Sequence, residues 1–193
     1  MKRAFFSVLI VIGLAVIGAL ALVFFILPSM NWSATGKPSE IENRLASYIM
    51  RKWIRRHADE QSNPLRPTLE NLKAGQDDFE EHCSGCHGLD ASGGNRLEAD
   101  FYPPVPKLTD NAQRWSDGEL YLIVANGISM TGMPGFGKNH DPKEIWGMIL
   151  WVRHLGELSL SEKAAIESRM RMTTEQHKKM MKESHPEPQE IHH

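Results

Sequence analysis

From Phe5 to Leu27 the chain runs through 23 consecutive residues without a charge. At 1.5 Å per residue a helix of that length spans the roughly 30 Å of a hydrocarbon core. The run predicts a transmembrane helix rather than a cleaved signal, because Ala19-Leu20-Ala21 mimics a cleavage site but the apolar residues continue through Leu22 to Leu27. Polar residues then lead through Pro38 to a second periodic segment. Ser39 and Glu42 have the spacing of a capping box. Ile41, Leu45, Tyr48, Ile49 and Trp53 recur at helical intervals toward His57, with Arg44, Arg51 and Arg55 on another strip. A basic amphipathic helix so close to an anchor suits anionic lipid, a protein partner or the next domain of the same chain. Asp59 to Pro67, with prolines among polar neighbours, reads as a linker.

Further helices follow from the same reasoning. One should start near Thr68 and carry Leu72, Gly75 and Phe79; a glycine inside a helix costs about 1 kcal/mol relative to alanine, so Gly75 implies close backbone contact with another helix. Ser116 and Glu119 open a helix reaching Asn126. Asp141 is a helix cap and Pro142 fits the first turn, while Ile145, Met148, Ile149 and Val152 form an apolar stripe that Gly156 can end. A last helix runs from Ser161 to about Lys182, before Pro186 and Pro188. The expected organisation is all-α. Residues 1–4 form a cytoplasmic N-terminus, 5–27 the membrane helix, 28–67 a juxtamembrane helix and linker, 68–156 a small domain, and 157–193 a separable, solvated or partner-binding tail.

Charge changes this picture by region. Residues 1–73 carry ten cations and five anions, 74–156 six and twelve, and 157–193 six and seven, so the net −2 hides a basic front and an acidic middle. The acidic middle speaks against nucleic acid as a partner. Lys2 and Arg3 favour a cytoplasmic N-terminus by the positive-inside rule, against competition from Lys37, Arg44 and the arginines beyond.

The candidate chemistry lies in Cys83-Ser84-Gly85-Cys86-His87, which holds both cysteines of the chain. Cys-x-x-Cys-His is the attachment pattern of a c-type haem: two thiols one helical turn apart can each form a thioether to a vinyl group, and the adjoining imidazole supplies an axial ligand. A redox dithiol, a structural pair or half of a zinc site are the other readings, the last lacking a second Cys pair.

With this motif stand Gly75-x-x-x-Phe79 before it, Pro106-Lys107-Leu108 after it, Gly132-Met133-Pro134-Gly135-Phe136 further on, and Trp151-Val152 on the last helix of the domain. In combination, over roughly Leu72 to Leu155, they resemble a membrane-anchored monohaem class I cytochrome c. The resemblance implies the class I cytochrome c fold, with helical extensions at both ends, and one covalent haem c bound at Cys83 and Cys86. It also implies iron ligation by His87 Nε2, with the carbonyl of Pro106 accepting from the other ring nitrogen; Pro103 and Pro104 leave that register open. Met133 is the implied sixth ligand, since a thioether stabilises ferrous iron, and Met130, one turn away, is the rival. His82, His140 and His154 read as surface or packing residues. Phe101, Tyr102 and Trp115 are candidates to wall the pocket, and Arg96, Arg114 and Lys138 to pair with haem propionates. Haem attachment in the bacterial proteins it resembles is extracytoplasmic, which implies a single-pass protein of the bacterial inner membrane with its haem domain in the periplasm.

The function implied is electron transfer, without enzymatic activity of its own. Expected partners are subunits of a respiratory or photosynthetic membrane redox complex, or soluble electron-transfer proteins, with lipid held through residues 5–27. The folded pattern of Ser39–His57 favours a docked subunit over a freely swinging shuttle. An open distal position would instead make a haem peroxidase or ligand sensor. Copper handling is a third class, on Met170, Met172, His177, Met180, Met181, His185, His192 and His193, which offer soft and imidazole ligands without fixed spacing.

Overall fold

The computed structural model describes residues 2–29, 39–93, 101 and 103–184. The chain divides into two compact units, Met1–Pro38 and Ser39–His193. Among its described residues the first contains one helix, α1 (Lys2–Ser29), in which Phe5–Phe25 is the only described stretch long and apolar enough to cross a membrane. Its large apolar side chains are exposed along that whole length.

Helices are the regular elements among the second unit's described residues: α2 (Glu40–His57), α3 (Leu69–His82), α4 (Ser84–His87), α5 (Leu108–Asn111), a 3-10 turn (Ala112–Arg114), α6 (Asp117–Asn126), α7 (Pro142–His154) and α8 (Leu160–Ser184). Local chemistry sets the boundaries. Ser116 and Glu119 bond reciprocally at the start of α6, as do Asp141 and Glu144 at the start of α7, and Thr68 Oγ1 accepts from Asn71 N at the start of α3. At α2 the hydroxyl half of the box forms, with Ser39 Oγ accepting from Glu42 N at 3.2 Å.

The core is built on the crossing of α3 and α7. A Cβ on Gly75 would fall inside the carbonyl of Gly147, so the two backbones touch where no side chain intervenes. One cluster joins Phe79, Ala91, Trp151, Leu155 and Ile166; a second joins Ala112, Leu120, Ile145, Trp146 and Ile149. Arg153 ties the end of α7 to the segment before it, donating to Asp117 Oδ1 (2.8 Å), Ala112 O (2.8 Å) and Trp115 O (2.6 Å). This half-buried cation thereby joins two backbone carbonyls and a carboxylate through charge-assisted bonds.

Two segments differ from the sequence reading, and α2 narrows the alternatives it left open. The stretch read as a linker is bonded to the domain: Asn63 N donates to Asp117 Oδ2 (2.9 Å), Asn63 Nδ2 to Trp146 O (2.8 Å), and the carbonyl of Asp59 lies against Gly118 so closely that no Cβ fits there. The apolar stripe of α2 does not pack on the domain; α2 meets α6 through Ile54, which is 2 % exposed, while Ile41, Leu45, Tyr48, Ile49 and Trp53 are 47–79 % exposed. The tail is not separable at its start, because Ile166 enters the core cluster and Arg169 bonds Glu80 at 2.5 Å.

The first turn of α8 is also docked through Glu162. Its carboxylate accepts from His154 Nε2 (2.7 Å), Ser159 Oγ (2.6 Å) and Ser159 N (2.8 Å), which together hold its pKa down at about 2, below the ordinary 4.5. The folded value lies under the unfolded one, so this contribution is complete above about pH 4.5 and is lost as pH falls through about 2. Pepsin cleavage within α8 should therefore accelerate across that window in the native protein, and Glu162→Gln should remove the acceleration. An equal acceleration in both proteins would show that Glu162 does not hold the helix.

Candidate functional site

Cys83 ends α3 and begins α4. Its N–H donates to Phe79 O (2.8 Å) and its carbonyl accepts from His87 N (2.9 Å), so a single turn carries both thiols and the imidazole. Gly88 stops that turn at φ 81°, a left-handed conformation that glycine adopts without strain. Cys83 and Cys86 are each half-buried and are not joined to one another in a disulfide. Burial pushes the Cys83 thiol up to about 12, with Asp78 and Cys86 adding to the shift.

His87 is 8 % exposed, and its Nδ1 donates to Pro106 O at 3.2 Å. Burial lowers its pKa and the Pro106 bond opposes that, the net direction being downward toward a neutral ring. A neutral imidazole with Nδ1–H engaged leaves the Nε2 lone pair available to a metal. Two residues beyond Pro106, Leu108 N donates to Ala91 O (2.9 Å), and the segment holding Ala91 is tied back to the His87 turn by Gly93 N, which donates to His87 O (3.0 Å). Pro103 and Pro104 are exposed and make no such bond.

The loop after α6 folds back on its own helix. Phe136 N donates to Val124 O (3.0 Å), Gly137 N to Ala125 O (2.9 Å) and Ile128 N to Met133 O (3.1 Å). Gly127, at φ 68°, permits the reversal; a Cβ there would lie 2.6 Å from Met133 O. Thr131 Oγ1 accepts from Met133 N (3.1 Å) while donating to Ile128 O (2.7 Å), so Met133 is held at both its amide and its carbonyl. Its side chain is half-buried, whereas Met130, at φ 61°, is 92 % exposed. The sulfur of Met130 points into solvent.

Phe101 lies on Gly132 and the half-buried Trp115 on the second core cluster. Tyr102 and Arg96 lie outside the described residues, and Arg114 and Lys138 are exposed. His82 packs against His140 (ring centroids 4.4 Å) and Phe136 (6.1 Å), joining the end of α3 to the Met133 loop; His154 is spent on Glu162. Of the Met and His residues of the tail, Met170 packs on the core and Met172 is exposed. The side chains of His177, Met180 and Met181, and all of His185, His192 and His193, lie outside the described residues. Asp117, Arg153 and Asn63, which fix the segment around the second core cluster, belong to no motif and were not legible as site-supporting residues.

The donor set fits a haem: two thiols and a neutral imidazole on one turn, and a half-buried thioether on a braced loop. Residues 70–152 match the family of subunit III of the cbb3-type cytochrome c oxidases. This segment is a monohaem class I cytochrome c domain. The cytochrome accordingly carries covalently bound haem c. Among solved structures it is similar to a chain of the reducing HAO-like protein complex of Kuenenia stuttgartiensis, with 28 % identity over 48 % of this chain and 46 % of that one and a TM-score of 0.42. It is also similar to the c-type cytochrome XoxG of Methylobacterium extorquens AM1 (26 %, 45 % and 50 %, TM-score 0.37). A third similar structure is cytochrome cL of Methylophaga aminisulfidivorans MPT (30 %, 52 % and 72 %, TM-score 0.34). The cytochrome thus spans about half the length of the first two. No curated protein matches the chain.

Proposed function

We propose that the cytochrome is a membrane-held one-electron carrier, its haem attached through Cys83 and Cys86 and ligated by His87 and Met133, working as a subunit or partner of a respiratory or photosynthetic redox complex. The observation that carries the ligation is the contrast between Met133, braced and half-buried, and Met130, 92 % exposed, on a domain whose His87 is already oriented by Pro106. When bound, haem c supplies an iron that cycles between ferrous and ferric. The chain's own part is to hold the imidazole neutral and correctly turned, to present a thioether that favours the ferrous state, and to exclude water from both. A filled distal position makes and breaks no substrate bond. It favours a carrier over a peroxidase or ligand sensor, either of which needs that position open.

Phe5–Phe25 serves as a single-pass anchor in the bacterial inner membrane, with Lys2 and Arg3 on the cytoplasmic side and the cytochrome domain in the periplasm. The matched family description, which names an oxidase subunit, supports assembly with a redox complex. Extraction in mild detergent, followed by a native gel stained for haem, should give a haem band well above the 21.8 kDa of the chain. A haem band at the monomer mass alone would contradict the docked-subunit reading.

A further inference from the structure

The two faces of α2 have different occupants. Ile54 is buried against the domain, and Arg55 pairs with Glu119 at 3.8 Å beside it. At about 100° per residue, Ile41, Leu45, Tyr48, Ile49 and Trp53 fall within an arc of about 140° centred about 170° from Ile54. All five are exposed, so the helix carries its apolar stripe on the side turned away from its own domain. Lys52 and Arg56 project within that arc, with Glu42 the one carboxylate inside it, at its first turn; Arg44 and Arg51 flank it and Glu40 lies outside.

We infer that α2 is a membrane-interfacial helix, its stripe resting in the headgroup boundary of an anionic bilayer while Ile54 holds the cytochrome domain on the other side. The composition of the arc selects lipid over protein. Lysine is depleted from the centres of protein interfaces, where its charge must be desolvated. At a bilayer surface the stems of Lys52 and Arg56 lie along apolar surface while their charges meet lipid phosphates. Tyr48 and Trp53 are side chains of the kind enriched at that depth. Ten residues separate α1 from α2 in sequence, so an anchored α1 keeps α2 at high local concentration near the bilayer. The consequence is a cytochrome domain laid against the membrane, restricted to partners that reach it there.

This inference rests on α1 being an anchor, and the test separates the two. Because haem attachment consumes both native cysteines, a cysteine introduced singly at Ile17, Ile49 or Glu60 is the one reactive thiol of the full-length holoprotein. Ile17 and Ile49 are exposed on their helices and Glu60 lies on the exposed strap, so none of the substitutions disturbs the core; the haem spectrum checks the fold of each. Each protein is reconstituted into phosphatidylcholine vesicles with and without phosphatidylglycerol, and its reaction with a charged, water-soluble maleimide is timed. Ile49→Cys should react at least about tenfold more slowly than Glu60→Cys, with further slowing by phosphatidylglycerol and no dependence on the protein-to-lipid ratio. Ile49→Cys reacting as fast as Glu60→Cys while Ile17→Cys stays protected would overturn the inference and leave the anchor standing. A fast Ile17→Cys would overturn the anchor itself. Protection that rises with the protein-to-lipid ratio, or that occurs only in native membranes, would assign the stripe to a second copy or to another protein, and would also overturn it.

Discussion

Gly75→Ala should lower the stability of the cytochrome domain by about 2–4 kcal/mol, even though alanine is the better helix former by about 1 kcal/mol. The added Cβ would enter the carbonyl of Gly147, and backbone cannot rotate aside as a side chain does. Relief requires α3 and α7 to separate along their crossing, which loosens Phe79 and Trp151 beneath it. The crossing is asymmetric. A Cβ on Gly147 comes only to 3.4 Å from Gly75 Cα, an ordinary contact, so Gly147→Ala should be far milder. Denaturant midpoints followed through the haem absorbance give the ranking; equal effects at 75 and 147 would show that the helices do not cross as described.

Cys83→Ser and Cys86→Ser should each weaken or abolish maturation, and the wild-type chain should keep its haem through denaturation and acid-acetone extraction. The reasoning is covalent. Thioethers survive loss of the fold, whereas a haem held by His87 and packing alone leaves with it. Complete extraction of haem from the wild-type chain would contradict the attachment site.

The parts of the structure that were legible in the sequence are those set by local chemistry. Ser116, Asp141 and Thr68 cap helices because side-chain oxygens reach nearby amides, and Gly75 reports a crossing because nothing else explains glycine there. The Cys83–His87 turn is one peptide long in its logic, so its geometry follows from spacing. What was missed depends on residues far apart. Asn63 and Arg153 look like ordinary polar positions until the fold brings Asp117 and Trp146 to them. Ile54 stands off the apolar stripe of α2, which drew attention to the other face, and Ile166 sits in a helix whose scattered alanines and methionines form no strong apolar stripe. Distinguishing Met130 from Met133 as candidates needs the loop conformation, since the two are one turn apart in sequence and only the folded loop leaves Met130 92 % exposed and Met133 half-buried.

That choice decides whether the cytochrome is a closed one-electron carrier, and the ferric optical spectrum tests it. The native protein should show low-spin features in both oxidation states, with the weak long-wavelength charge-transfer band of an iron–thioether bond. Met133→Ala should abolish that band and lower the reduction potential, while Met130→Ala, altering a side chain 92 % exposed, should leave both unchanged. The reverse pattern would move the ligand to Met130, and a stable high-spin ferric form of the native protein would contradict the carrier altogether.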